Sequence, residues 1–292
     1  MDILQPLPLN EWKILRDSLK RDWPTYSYYY YLINNSIKWK TKDPQFKLQI
    51  YCPNSDVNAG TFIGISTQAW CVVYLFTFKE SKDLLRRALN ETKVIGWNEF
   101  TLFSAVHPHF SDVFEKFLSE EAENRNIALQ FKSPTGYYFK SKEECLKIEV
   151  SVPEECELRH LNESHIPLIH SLWPHRSEDE PEKSTEFLAS MVRLNRGIGL
   201  FLKKGGVLVS WIIHFDWGGL GMLETIEEHK RKGYGKLVVK AMIKELAEEE
   251  NLDSFAFVVN KNVPSEKLFE SLGYKRLLNP IFYGTIPKLN SS

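Results

Sequence analysis

Lysine, arginine and glycine come together once in this chain in an arrangement suited to chemistry. Residues 220–240 read LGMLETIEEHKRKGYGKLVVK. An apolar, strand-like run ends in acidic residues, and Lys230-Arg231-Lys232 follows. Next come Gly233-Tyr234-Gly235-Lys236 and an amphipathic helical pattern. A glycine-bearing turn at a helix start aims several backbone N–H groups at one spot, and the helix dipole and flanking cations favour an anion there. The stretch predicts a phosphate-binding turn and a phosphorylated cofactor. The alternative reading is a solvated basic turn.

The other reactive residue types bound the chemistry. His107-Pro108-His109 is an i, i+2 pair without companion ligands, so no metal is expected. The four cysteines, Cys52, Cys71, Cys145 and Cys156, form no C-x-x-C pair. Free thiols in a reducing compartment are expected. His214 is expected as a satisfied core histidine and His229 as a surface residue. A net charge of −1 supplies no global field for nucleic acid. No apolar run approaches the ~18 residues that span a bilayer, and the opening residues lack the pattern of a signal peptide. The expectation is an intracellular protein, cytoplasmic or mitochondrial, with no nucleic-acid or membrane partner. The sequons at Asn34, Asn90 and Asn162 are then chance matches. The oligomeric state is left open.

The elements that position the turn follow from periodicity. At 292 residues the chain has room for two domains. In the first half, helices are predicted over residues 9–23, 81–90 and 110–121. Strands are predicted over 46–51, 62–65, 69–78 and 99–105. The aromatic segment 26–37 is ambiguous, and Tyr28–Tyr31 reads as packing. Residues 132–151, with Ser133-Pro134-Thr135-Gly136 and a charged segment, read as a boundary region. The division is placed near residue 150, giving domains 1–150 and 151–292. The second half reads as strand 156–161, helix 163–173, helix 184–196, strands 199–202, 207–215 and 220–226, helix 234–249, strand 255–259, helix 264–272 and strand 281–286. That is an α/β class with a mixed sheet and helices on both faces.

This order, with a glycine turn after the fourth strand, resembles the GNAT superfamily of acyl-CoA-dependent N-acyltransferases. The family signature at that turn is Arg/Gln-x-x-Gly-x-Gly/Ala, and here Lys230-Arg231-Lys232-Gly233-Tyr234-Gly235 stands there. Lysine keeps the charge but loses the planar fork. A second family pattern is matched by Asn262-x-x-Ser265-x-x-Leu268-Phe269-Glu270-x-Leu272-Gly273-Tyr274. The resemblance implies acyl-CoA or acetyl-CoA as co-substrate and no metal. It implies that Lys230, Arg231, Lys232, Gly233, Tyr234, Gly235 and Lys236 form the pyrophosphate turn. Thr225 and Ile226 would offer backbone groups to the pantetheine arm, and Asn262 would lie beside it.

The whole chain also resembles the glycine N-acyltransferase family, through its length, an early Asp22-Trp23-Pro24, and a turn lead-in at Thr225-Ile226-Glu227-Glu228-His229-Lys230. This implies tandem GNAT-like domains, the first degenerate and without a cofactor motif. It also implies a small amine acceptor such as glycine or another amino acid. Two departures bear on mechanism. The family's general-acid tyrosine is replaced by Phe269. The family's glutamate base aligns without gaps to Gly219, and Glu224 is the nearest carboxylate and the candidate base. Two functions follow: an acyl-CoA:amine N-acyltransferase, or a catalytically weak acyl-CoA-binding or interaction protein.

Overall fold

The structure, a computed structural model, describes residues 1–288. The first part of the chain forms β1 (Leu4–Pro6), α1 (Trp12–Ser18), α2 (Ser27–Lys42), β2 (Leu48–Pro53), β3 (Thr61–Ser66), β4 (Cys71–Thr77), α3 (Lys82–Glu91), β5 (Thr101–Val106), α4 (Ser111–Glu121) and β6 (Ile127–Lys140). The rest forms α5 (Lys142–Leu146), β7 (Cys156–His160), α6 (Ile166–Ser171), α7 (Pro181–Leu194), β8 (Arg196–Leu202), β9 (Val207–His214), β10 (Leu220–Thr225), α8 (Tyr234–Glu250), β11 (Ser254–Val259), α9 (Val263–Ser271), β12 (Lys275–Leu278) and β13 (Ile281–Pro287). Both halves mix helices and strands, and α3, α4, α8, α9, β5 and β11 lie close to the spans that the hydrophobic periods predict.

Among the described residues two compact units result: Met1–Gly136 with residues 278–288, and Tyr137–Leu277. In the first unit, β1 to β4 form an antiparallel meander. β4 and β5 pair in parallel from Cys71↔Thr101 to Val73↔Phe103. β13 then runs antiparallel to both β5 and β6. The aromatic run is here helix α2, with Tyr28, Tyr29 and Tyr31 buried. The Tyr28 hydroxyl shares a 2.8 Å hydrogen bond with Ser104 Oγ on β5.

In the second unit, β7 to β10 are antiparallel neighbours, and β11 lies parallel beside β10. The long helix α8 buries Leu237, Val238, Val239, Met242, Ile243 and Leu246. They form one core with Val209 and Ile212 of β9, Leu220 of β10, and Ala256 and Val258 of β11. Fully burying each large apolar side chain stabilises the unit by about 1.5–3 kcal/mol. This packing seats the N-terminal turn of α8 on the sheet.

The division differs from the one expected near residue 150. Ser133-Pro134-Thr135-Gly136, predicted as loop, is extended within β6. Pro134 pairs in register with Ile281, and the Thr135 N–H donates to the Pro280 carbonyl at 2.9 Å. The residues that continue this strand, from Tyr137, belong to the second unit. The last strand likewise does not close the second unit's sheet. It crosses back as β13 between β5 and β6. Each half thus lends a strand to the other's fold, a pairing that local turn signals do not encode.

Candidate functional site

β10 and β11 share register at Leu220↔Ala256, and their pairing ends there. Beyond it, residues 221–224 and 257–259 become walls of a cavity of about 280 Å³. The cause is local. The register of β10 against β9 shifts between Gly221 and Glu224. Met222 sits at φ +56°, in the left-handed region that few non-glycine residues adopt. Such a bulge bends its strand and takes backbone out of the ladder. Met222 and Leu223 therefore have no partner in the β9 register. The rest of the wall comes from Ile169, Leu172, Trp173 and His175 on or after α6, Trp211 and Ile212 of β9, and Asn262, Ser265 and Phe269 at or in α9.

The glycine turn lies between β10 and α8. Arg231 has φ +63° and Gly233, the N-cap of α8, has φ +81°. No side chain caps this helix start, so its first N–H groups keep their demand for acceptors. A Cβ placed on Gly233 would meet no heavy atom within 4 Å, so the space before the helix is open. A Cβ on Gly235 would lie 3.4 Å from Thr225 Oγ1, an ordinary contact. Uncapped amides facing open space, with Arg231 and Lys232 alongside, fit a diphosphate.

Several side chains of the turn also have contacts within the protein. Lys230 Nζ lies 2.8 Å from Glu227 and 3.6 Å from Glu224, and the Glu227 bond first among these contacts raises its pKa. Lys232 Nζ approaches His229 Nδ1 at 3.4 Å, and Lys236 Nζ donates to the Ser271 carbonyl at 3.3 Å. Tyr234 is buried. Its hydroxyl is pushed up to about 12, first by the hydrogen bond from the Cys156 thiol and then by burial. What Tyr234 has left for a ligand is its backbone.

The remaining sequence candidates divide. Glu224 lines the cavity, and its Oε1 accepts the Thr225 N–H at 3.0 Å. Ile226 donates its N–H to Val209 and accepts from the His229 N–H. The backbone N–H groups of both Thr225 and Ile226 are therefore engaged. The backbone outside the ladder stands two to three residues earlier, at Met222 and Leu223. Sequence reasoning missed these two residues, since a bulge at a non-glycine residue leaves no composition signal. Asn262 combines two roles: its Oδ1 accepts the Ser265 N–H at 3.3 Å as the cap of α9, and the residue lines the cavity.

No side chain fits at Gly219. A Cβ there would come within 2.0 Å of Trp217 Cζ3 and 2.6 Å of Phe255 Cε2. The ungapped alignment of a glutamate base to that position thus has no room to hold. Phe269 is buried, with its ring 5.0 Å from that of Tyr274. His214 is a core residue whose Nε2 bonds the Gly218 carbonyl within its hairpin. Among the described residues, no group of three or more His, Cys, Asp or Glu is placed to hold a metal ion.

Two sequence families match parts of this chain. One, termed FR47-like protein, covers residues 197–282, which includes the bulged strand, the turn and α9. The other, a domain of unknown function (DUF5645), covers residues 3–117. A search of curated protein sequences found no match. A Drosophila protein of known structure is 25% identical, with a TM-score of 0.88 over 99% of this chain and 100% of its own. The tandem GNAT protein from the clavulanic acid biosynthesis pathway is 11% identical, with a TM-score of 0.55 over 99% of this chain and 100% of its own.

The chain has the tandem fold of the GNAT superfamily. An acetyltransferase from the GNAT family from Colwellia psychrerythraea shares that fold at 12% identity, with a TM-score of 0.51 over 96% of this chain and 98% of its own. Within the GNAT fold, β7–β10 form the antiparallel half-sheet, and the cavity occupies the notch between β10 and β11.

Proposed function

We propose that the protein is an acyl-CoA-dependent N-acyltransferase. One observation carries this reading. The bulge-opened notch lies along β10, and the uncapped, glycine-turned start of α8 returns beside the end of that strand, Gly235 against Thr225, so a diphosphate and a thioester arm can be held together. The diphosphate would sit on the backbone of residues 231–236. The arm would run along the β10 backbone at Met222 and Leu223 with Asn262 nearby. The amine nitrogen attacks the thioester carbonyl, the C–S bond breaks, and the products are an amide and the free thiol of coenzyme A. An N–H in the bulge would meet the developing oxyanion. The amine must first lose its proton, and Glu224 is our candidate base, directly or through water. An intracellular setting, cytoplasmic or mitochondrial, accords with four buried free thiols.

The acceptor is proposed at the level of a small amine. Glycine or another amino acid rests on the sequence resemblance alone. A catalytically weak binding protein is the second reading. Phe269, which has no proton to give, favours it, as does a Glu224 carboxylate already engaged by the Thr225 N–H and Lys230. Calorimetric titration with acetyl-CoA, followed by thiol release with a panel of amines, separates the two. Tight binding with amine-dependent release supports the enzyme. Tight binding without release supports the binding protein. No binding removes both.

A further inference from the structure

The notch that takes the thioester arm lacks one proton carrier and holds another. Phe269, at the position of the family's general acid, has no proton to give. Among the described residues, the ionisable side chains that line the notch are Glu224 and His175. Glu224 is a carboxylate that accepts the Thr225 N–H at 3.0 Å and has Lys230 Nζ at 3.6 Å. Histidine is the side chain type that both holds and releases a proton near neutral pH. His175 is exposed, and its imidazole has no hydrogen-bond partner among the described residues.

A turn after α6 places this imidazole. The Arg176 N–H donates to the Trp173 carbonyl at 3.2 Å, which closes a turn with Pro174 and His175 at its centre. Proline presets the backbone at the first central position. The Arg176 guanidinium donates to the same carbonyl at 3.1 Å and reaches Glu178 at 3.5 Å. The Trp173 ring stacks on Phe187 of α7, with centroids 6.1 Å apart and 15° between the planes. His170 of α6 shares a 2.6 Å hydrogen bond with Ser184 of α7. The anchored turn brings Pro174 and His175 into the same wall as Met222, Leu223 and Phe269. The charged groups about the imidazole are Arg176 and Glu178 on its own loop and Glu224 from β10, with Lys230 beside that carboxylate. α6, β9, β11 and α9 bring no charged side chain to the wall. Resting on the N-acyltransferase reading above, we propose that His175 is the proton donor to the sulfur of the leaving coenzyme A. As the amine attacks and the C–S bond breaks, the sulfur keeps the electron pair of that bond. The imidazolium N–H passes its proton to the sulfur. The amine's own proton goes to Glu224 or water, and solvent reprotonates the imidazole.

The test is thiol release from acetyl-CoA with a panel of small primary amines, by the wild type and by His175→Gln, from about pH 6 to about pH 9. Acetyl-CoA affinity by calorimetry and a thermal melt accompany each protein. At the acid end the variant's kcat should fall on the order of 10²-fold. The loss should shrink as pH rises, because a neutral imidazole donates no proton to sulfur in the wild type either. Affinity should stay within about twofold. A loss that grows with pH makes His175 a base and overturns the proposal. A loss equal at every pH, or one matched by lost affinity, marks a structural role and also overturns it. Phe269→Tyr supplies another donor in the same cavity. It should raise kcat on the order of tenfold more in the His175→Gln background than in the wild type. Equal gains in the two backgrounds count against the proposal. Release by the wild type that His175→Gln matches at every pH overturns the proposal alone. No release by the wild type with any amine overturns the N-acyltransferase reading and this role with it.

Discussion

Replacing Gly233 separates the structural and ligand-binding consequences of the turn. The residue caps α8 at φ +81°, and a Cβ there meets nothing within 4 Å. Gly233→Ala thus adds no clash, only the strain of an L residue in the left-handed region, about 1–2 kcal/mol. For a unit of this size that lowers the melting temperature by about 2–8 °C. The binding cost is larger, because the methyl group enters the space left for the diphosphate. Hydrogen bonds to a charged group contribute about 1.5–3 kcal/mol each. Losing two would weaken acetyl-CoA binding by about 3–6 kcal/mol, on the order of 10²–10⁴-fold. Gly233→Val should remove detectable binding. Gly205→Ala is the control. It lies in the β8–β9 hairpin at φ +84°, where a Cβ meets only Val207 at 3.6 Å. It carries similar strain and should leave affinity unchanged. Calorimetric titration with acetyl-CoA and a thermal melt on each variant complete the comparison. Affinity within twofold of wild type in folded Gly233→Ala and Gly233→Val would refute the placement of the diphosphate.

Three further outcomes follow from the site and its surroundings. Glu224→Gln should lower kcat most at low pH, where few amines are neutral, and recover partly as pH rises; an unchanged pH–rate profile removes Glu224 from proton transfer. Phe269→Tyr should leave the rate unchanged or raise it within the ~10²–10⁴-fold span of general-acid effects; a tenfold loss in a stable variant would contradict this. Burial pushes the Asp216 carboxyl up to about 7. The folded state therefore holds a proton that the unfolded chain releases near pH 4, and stability falls as pH rises from about 4 to about 7, by roughly 4 kcal/mol at most. Asp216→Asn should lack that fall in urea titrations across this range. Parallel wild-type and variant profiles would show that Asp216 is not the source.

Much of the fold was legible because its elements carry their own periods. The α8 pattern, the fifth-strand run of Phe255–Val259 and the glycine turn all lie where periodicity and turn chemistry put them. The unit boundary was not legible, because Pro134 and Gly136 read as a turn only in isolation. With Pro134 paired to β13, the segment continues as a strand, and that partner lies nearly 150 residues away in sequence (Pro134 against Ile281). The site divides in the same way. Gly233 announces a left-handed cap by its type. Met222 adopts a similar conformation within a bulge, at a residue type that gives no hint of it. Lys230 reads as an anion ligand from its place in the turn, and the structure adds two carboxylate neighbours, Glu224 and Glu227, that the sequence pattern does not announce.

The most direct test of the account is thiol release from acetyl-CoA by the wild-type protein and by Gly233→Val, with and without each member of a panel of small primary amines. The account predicts release that requires both protein and amine, yields the N-acetyl product in equal amount, and is absent in the variant. Calorimetrically confirmed acetyl-CoA binding by the wild type, with no amine-dependent release across the amine panel, would contradict it.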